Sequence, residues 1–163
     1  MRRETALLIG FLVITIGTAA GLWSLAMPNF HPLTLPQLQS GTMSVGPMRK
    51  DRVLTTAQVK MLNDWLAGHR AGWGPLGQTP PSSGDAVMEM QVAHVDNASG
   101  APADSGPFRI TLWTGISAAD WNNTVFIEEK PGAVIRIHHF NDKDFGPLRE
   151  LANQFDYPRS AFP

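Results

Sequence analysis

TVFIEEKPGAVIRIHHF, residues 124–140, is the stretch on which the fold turns. Alternating apolar residues run up to Lys130-Pro131-Gly132-Ala133 and resume after it. That tetrapeptide has type II turn chemistry: proline presets φ at the second position and glycine supplies φ > 0 at the third. A hairpin centred there has a definite register. Thr124 lies opposite His139, Val125 opposite His138, Phe126 opposite Ile137, Ile127 opposite Arg136, and Glu128 opposite Ile135.

Successive side chains on a strand point to opposite faces, so His138 and His139 are separated by the sheet and do not form a chelating pair. His138 shares its face with Arg136 and Glu129, and Glu129 is diagonal to Arg136 across the hairpin. This face is expected to be solvated, with a weak ion pair. Trp113 alternates out of phase with Phe108, Ile110 and Leu112 and is expected to be exposed or to cover the second sheet face. Trp113, Glu129, Arg136 and His138 together are the candidate binding patch, on an open sheet face.

Upstream of the hairpin, AVMEMQVAHV (86–95) and FRITLWT (108–114) alternate in the same way and are rich in β-branched and aromatic residues. With residues 124–129 and 133–140 they make a four-stranded antiparallel meander. The loop 96–107 is rich in Gly, Pro, Ala, Ser and Asp, and Ser117 to Asp120 can open a helical turn that tucks Trp121 inward. Two helices bracket the strands. In LTTAQVKMLNDWLAGHRAGWGP (54–75), Thr55 and Gln58 form a capping box, Leu54 staples to Val59, and Val59, Leu62 and Leu66 recur on one face. In NDKDFGPLRELANQF (141–155), Asn141 or Asp142 caps a helix that places Phe145, Leu148, Leu151 and Phe155 on one side, with Pro147 as a kink or as its first residue. The expectation is an α+β two-layer domain, helix, meander, helix, over residues 53–163, with both helices on one sheet face.

Residues 28–52 hold four prolines and several Ser, Thr and Gln without a sustained period, and read as an extended Pro-rich tether. Before them, residues 6–27 carry no charge. At ~1.5 Å per residue such a run matches a hydrocarbon core of about 30 Å, and it exceeds the ~7–15 apolar residues of a usual export signal. Ser24-Leu25-Ala26 nevertheless resembles a cleavage site before Met27. Arg2 and Arg3 keep residues 1–5 cytoplasmic by the positive-inside rule, so anchored or cleaved, the remainder is exported. Gly17 and Gly21 form a G-x-x-x-G strip, the candidate helix-packing site for a copy of the chain or another membrane subunit. Trp23 suits the outer interface.

A net charge of −1 gives no field that would draw nucleic acid, and the absence of cysteine removes disulfides, thiolate metal sites and a cysteine nucleophile. His69, His94 and the strand histidines lack i, i+3 or i, i+4 spacing for zinc, no G-x-S-x-G elbow, P-loop or dinucleotide fingerprint is found, and Glu128-Glu129 face apart. No cofactor is expected. The expectation is a single-pass bacterial inner-membrane protein with a periplasmic C-terminal domain, acting as a non-catalytic accessory or interaction module. A small-ligand binder using the open sheet face comes second, and a histidine- or metal-dependent enzyme last.

Overall fold

The structure is a computed structural model and describes residues 3–26, 33, 35–47, 50–92 and 106–155. The chain separates into two units, Met1–Pro32 and Leu33–Pro163. In the first, α1 (Arg3–Ala26) contains a span, Arg3–Ser24, with mean hydropathy 2.1 and no buried residue, long and apolar enough to cross a membrane. Three of its hydroxyl groups are closed on their own helix: Thr15 donates to the Phe11 carbonyl (2.9 Å), Thr18 to Ile14 (2.8 Å) and Ser24 to Gly21 (2.8 Å). In hydrocarbon an unmet hydroxyl donor is costly, and these three are met without a partner helix.

The second unit is built on β1 (Leu38–Val45), β2 (Arg52–Val53), β3 (Gly74–Pro75), β4 (Ala86–Val92), β5 (Phe108–Trp113), β6 (Thr124–Glu128) and β7 (Arg136–His139). They form one antiparallel sheet in the order β2-β1-β4-β5-β6-β7-β3. Its β4-β5-β6-β7 core is the expected meander. The β6–β7 register is as read from the turn, Thr124 opposite His139 through Ile127 opposite Arg136. The turn itself closes with Ala133 N–H donating to the Lys130 carbonyl (2.9 Å) and Gly132 at φ 81°.

The strand count is a correction: the described residues hold seven strands, not four. Residues 38–45 and Arg52, expected to be tether, belong to β1 and β2, and β1 pairs with β4 from Leu38 opposite Val92 to Val45 opposite Ala86. The glycine that reads as linker punctuation is a packing requirement. A Cβ on Gly41 would collide with the Met90 sulfur and the Glu89 carbonyl.

α2 (Thr56–Gly68) starts at the expected capping box, with Gln58 N–H donating to Thr55 Oγ1 (3.3 Å) and Thr55 N–H to Gln58 Oε1 (2.8 Å). α3 (Asp142–Asn153) is capped by Asn141, whose side chain accepts from Asp144 N–H at 2.8 Å. Pro147 lies inside α3, not at its first position. Both helices bury their apolar side, including Leu62, Leu66, Phe145 and Leu148, in one core with Met43, Met88, Ile110 and Ile127 of the sheet. Each such side chain contributes about 1.5–3 kcal/mol by leaving water. Among the described residues the opposite sheet face carries no α-helix, only the short turn Ala119–Trp121, whose Trp121 packs on Trp113 and Phe126.

The chain encircles the sheet. α2 connects β2 at one edge to β3 at the other across the first face, and residues 76–85 return to β4 past the second. That return is seated by Ser82, which accepts from Trp113 Nε1 (3.3 Å), and by Gly84, which is pressed against Thr111 and Trp113 at φ +86°. An alanine at 84 meets both a left-handed backbone, costing ~1–2 kcal/mol, and a collision with Thr111. Gly84→Ala is therefore expected to lower stability by about 2–4 kcal/mol, and Gly132→Ala, whose Cβ meets open space, by only about 1–2. Equal melting temperatures for the two variants would contradict this seating.

Candidate functional site

Strand parity decides where the sequence candidates lie. Val125 and Ile127 point into the helix-covered core, fully buried, so their partners His138 and Arg136 point there too. This corrects the expected solvated face: Arg136 is 7% exposed. Trp113 is on the opposite, helix-free face and only 2% exposed, packed on Phe126 (4.3 Å between ring centres) and Trp121 (5.8 Å). Glu129 is exposed just beyond β6. The four residues therefore do not form one patch.

Histidines are knit into the edge formed by β3 and β7. His138 lies between Phe140 (4.0 Å) and Trp73 (5.5 Å), and its Nδ1 meets the Gly72 carbonyl at 2.7 Å. His69 stacks on Trp65 (4.5 Å), and its Nδ1 meets the Trp65 carbonyl at 2.7 Å. A carbonyl only accepts, so in both rings Nδ1 carries a proton. His69 Nε2 is 4.0 Å from Asp144 Oδ1. His139 Nδ1 pairs with Thr124 Oγ1 at 2.7 Å on the other face. Among the described residues no group of three or more His, Asp or Glu could hold a metal ion. His94 lies outside the described residues.

The helix-free face holds a concavity of about 510 Å³. Its floor comes from three adjacent strands: Thr42 and Ser44 of β1, Val87 and Glu89 of β4, Arg109 and Thr111 of β5. Asp51, from the β1–β2 connection, and Ser83, from the returning segment, form its rim. The register places Glu89, Arg109 and Glu128 side by side on β4, β5 and β6. Arg109 donates through Nη2 to Glu89 (2.8 Å) and through Nη1 to Glu128 (3.4 Å), whereas its Nε is buried with no hydrogen-bond partner among the described residues. Sequence reasoning missed this triad. Glu89, Arg109 and Glu128 are each the outward residue of an alternating strand, but the long 96–107 loop leaves the β4–β5 register unspecified, so nothing local aligns them.

A second polar knot shapes one end of the sheet. Asp85, buried just before β4, accepts from Thr114 N–H (2.7 Å) and hydroxyl (2.9 Å), Ile116 N–H (3.2 Å) and Ser117 N–H (3.0 Å). Burial alone would push its carboxyl up, but the hydrogen bonds from Ser117 and Thr114 outweigh it and hold the pKa below its ordinary value. From α3, Arg149 donates to the Thr114 carbonyl (2.9 Å), to Asn122 Oδ1 (2.9 Å) and to Asn123 Oδ1, tying helix to loop. These groups are used in holding the β5–β6 connection.

Comparison of the chain with protein-family models, with curated proteins and with solved structures finds no match.

Proposed function

We propose that this chain is a single-pass, membrane-anchored accessory or interaction module of a cell-envelope complex. Its N-terminus faces the cytoplasm and its sheet domain the periplasm of a bacterial-type inner membrane, and it acts by binding. One observation carries the reading: a span-length helix with every described side chain exposed and the hydroxyls of Thr15, Thr18 and Ser24 satisfied internally, in series with a separately folded α+β unit. Arg2 and Arg3 support the orientation. Gly17 and Gly21, with open space where a Cβ would stand, support close approach of a second helix.

The test is topological and then biochemical. Protease added to intact spheroplasts is expected to digest the C-terminal unit, and detergent-solubilised chain to elute with a larger partner that is released by Gly17→Leu with Gly21→Leu. Full protection of that unit in intact spheroplasts overturns the orientation, and elution of the chain alone overturns the accessory role. The concavity on the helix-free face favours a second reading, a small-ligand-binding domain, with Arg109 in place of the sequence-derived Arg136.

A further inference from the structure

We propose that Asn122 is a modification site: the acceptor of an asparagine-linked glycan, added on the far side of the membrane before the β6–β7 hairpin closes. The proposal rests on the export reading above, because such transfer takes place outside the cytoplasm.

The pattern is in Asp120-Trp121-Asn122-Asn123-Thr124. Asn122-Asn123-Thr124 is an Asn-x-Thr acceptor triplet without proline, the form that places a glycan on a surface loop of an exported chain. A second such triplet is Asn97-Ala98-Ser99, outside the described residues. Bacterial oligosaccharyltransferases also read an acidic residue two positions before the asparagine. Asp120 stands there for Asn122, whereas Val95 stands there for Asn97. Asn122 is thereby selected.

Geometry agrees with attachment at this side chain. Asn122 follows the short turn Ala119–Trp121, directly before the β6 hairpin strand, and both it and Asp120 are exposed. Arg149 Nη2 meets the Asn122 amide at 2.9 Å, and because a guanidinium only donates, the end it holds is Oδ1. Gly115 lies against the same end, where a Cβ would stand 2.9 Å from Oδ1. A sugar attaches to Nδ2 and leaves the amide carbonyl intact. The modified side chain therefore keeps its bond from Arg149.

The partner residue of the triplet sets the time of transfer. Thr124 is 0% exposed, lies opposite His139, and has its hydroxyl paired with His139 Nδ1 at 2.7 Å. An enzyme that must engage this hydroxyl finds it only while the hairpin is open. In the step itself, Asn122 Nδ2 forms a bond to the anomeric carbon of a polyprenyl-diphosphate-linked oligosaccharide. The bond from that carbon to the diphosphate oxygen breaks, the diphosphate leaves with the electron pair, and the proton lost from Nδ2 passes to a base of the transferase.

The test is expression of the full chain in a bacterial host carrying an asparagine-linked oligosaccharyltransferase, its lipid-linked oligosaccharide and a known acceptor protein as a positive control. Intact mass and peptide mapping are expected to show one oligosaccharide, on Asn122 and not on Asn97. Asn122→Gln is expected to remove the added mass. Asp120→Asn, at an exposed position, is expected to remove it with an unchanged melting temperature, which a folding defect would not do. Purified, folded chain offered to the same enzyme is expected to stay unmodified. An unmodified chain beside a modified control, a glycan confined to Asn97, or full modification of Asp120→Asn would overturn the proposal. Protease added to spheroplasts of the same cells separates the two readings: a digested C-terminal unit without glycan overturns the modification alone, whereas a protected, unmodified unit overturns the orientation with it.

Discussion

A chain cut back to begin at Val53, the start of the domain as expected from sequence, should not fold, whereas one begun at Leu33 should unfold cooperatively. The shorter chain loses β1 and with it Leu38, Met43 and Val45, which are 3%, 0% and 7% exposed. At about 1.5–3 kcal/mol per buried side chain their loss alone removes roughly 5–9 kcal/mol, before the β1–β4 hydrogen bonds and the uncovering of Met88 and Met90 are counted. Whole domains are stable by only ~5–15 kcal/mol. β1 is also tied to α2, since Asn63 accepts from Leu38 N–H (2.8 Å) and donates to its carbonyl (2.9 Å). Circular dichroism melts of the two truncations decide the matter. A cooperative transition in the shorter chain within a few degrees of the longer one would mean that β1 is dispensable.

Asp85→Ala is expected to be the most damaging single substitution of a polar residue. It strands three backbone N–H groups and the Thr114 hydroxyl, each costing about 1–3 kcal/mol where water cannot replace the carboxylate. Exposed Ile116 and Ser117 admit some water, so the net loss is expected near ~3–4 kcal/mol, a fall in melting temperature of about 10–20 °C. The effect depends on pH with a definite sign. Because the folded pKa lies below the unfolded value, Asp85 stabilises the fold above the ordinary carboxylate pKa of about 3.9, and that contribution is lost as pH falls through the folded pKa. The gap between the parent chain and the variant in urea midpoint should be full at neutral pH and narrow on acidification below about pH 4. A gap of constant size down to pH 3 would remove the carboxylate from the account.

Local signals were readable where a few adjacent residues specify geometry. Pro131-Gly132 determined a turn and, through it, the pairing of four residues on each side. Thr55 with Gln58 marked the start of α2, and the α3 stripe of Phe145, Leu148 and Leu151 marked its buried side. Residues 38–45 were not readable. LQSGTMSV has small and polar residues where its outward positions face the concavity, and its register comes from β4, more than forty residues away along the chain.

The candidate site was legible only as residue types. Sequence alternation placed Arg136 and His138 on one face and Trp113 out of phase with Ile110, which holds in the structure, but alternation is symmetrical and does not say which face the helices cover. The wrong face was chosen for the hairpin, which exposed Arg136, whereas Trp113 was placed on the correct, second face but left without the segment that covers it. The returning segment 76–85 reverses that, seating Ser82 and Gly84 on Trp113.

By itself the amino-acid sequence determined the apolar span, the absence of thiol chemistry, the helix caps and the hairpin, because each rests on composition or on contacts between near neighbours in the chain. Only the tertiary structure decided the seven-stranded order, the covered face and the Glu89–Arg109–Glu128 triad. Those depend on which distant strands share hydrogen bonds, and a strand's own pattern, with a period of two, carries no information about its neighbours.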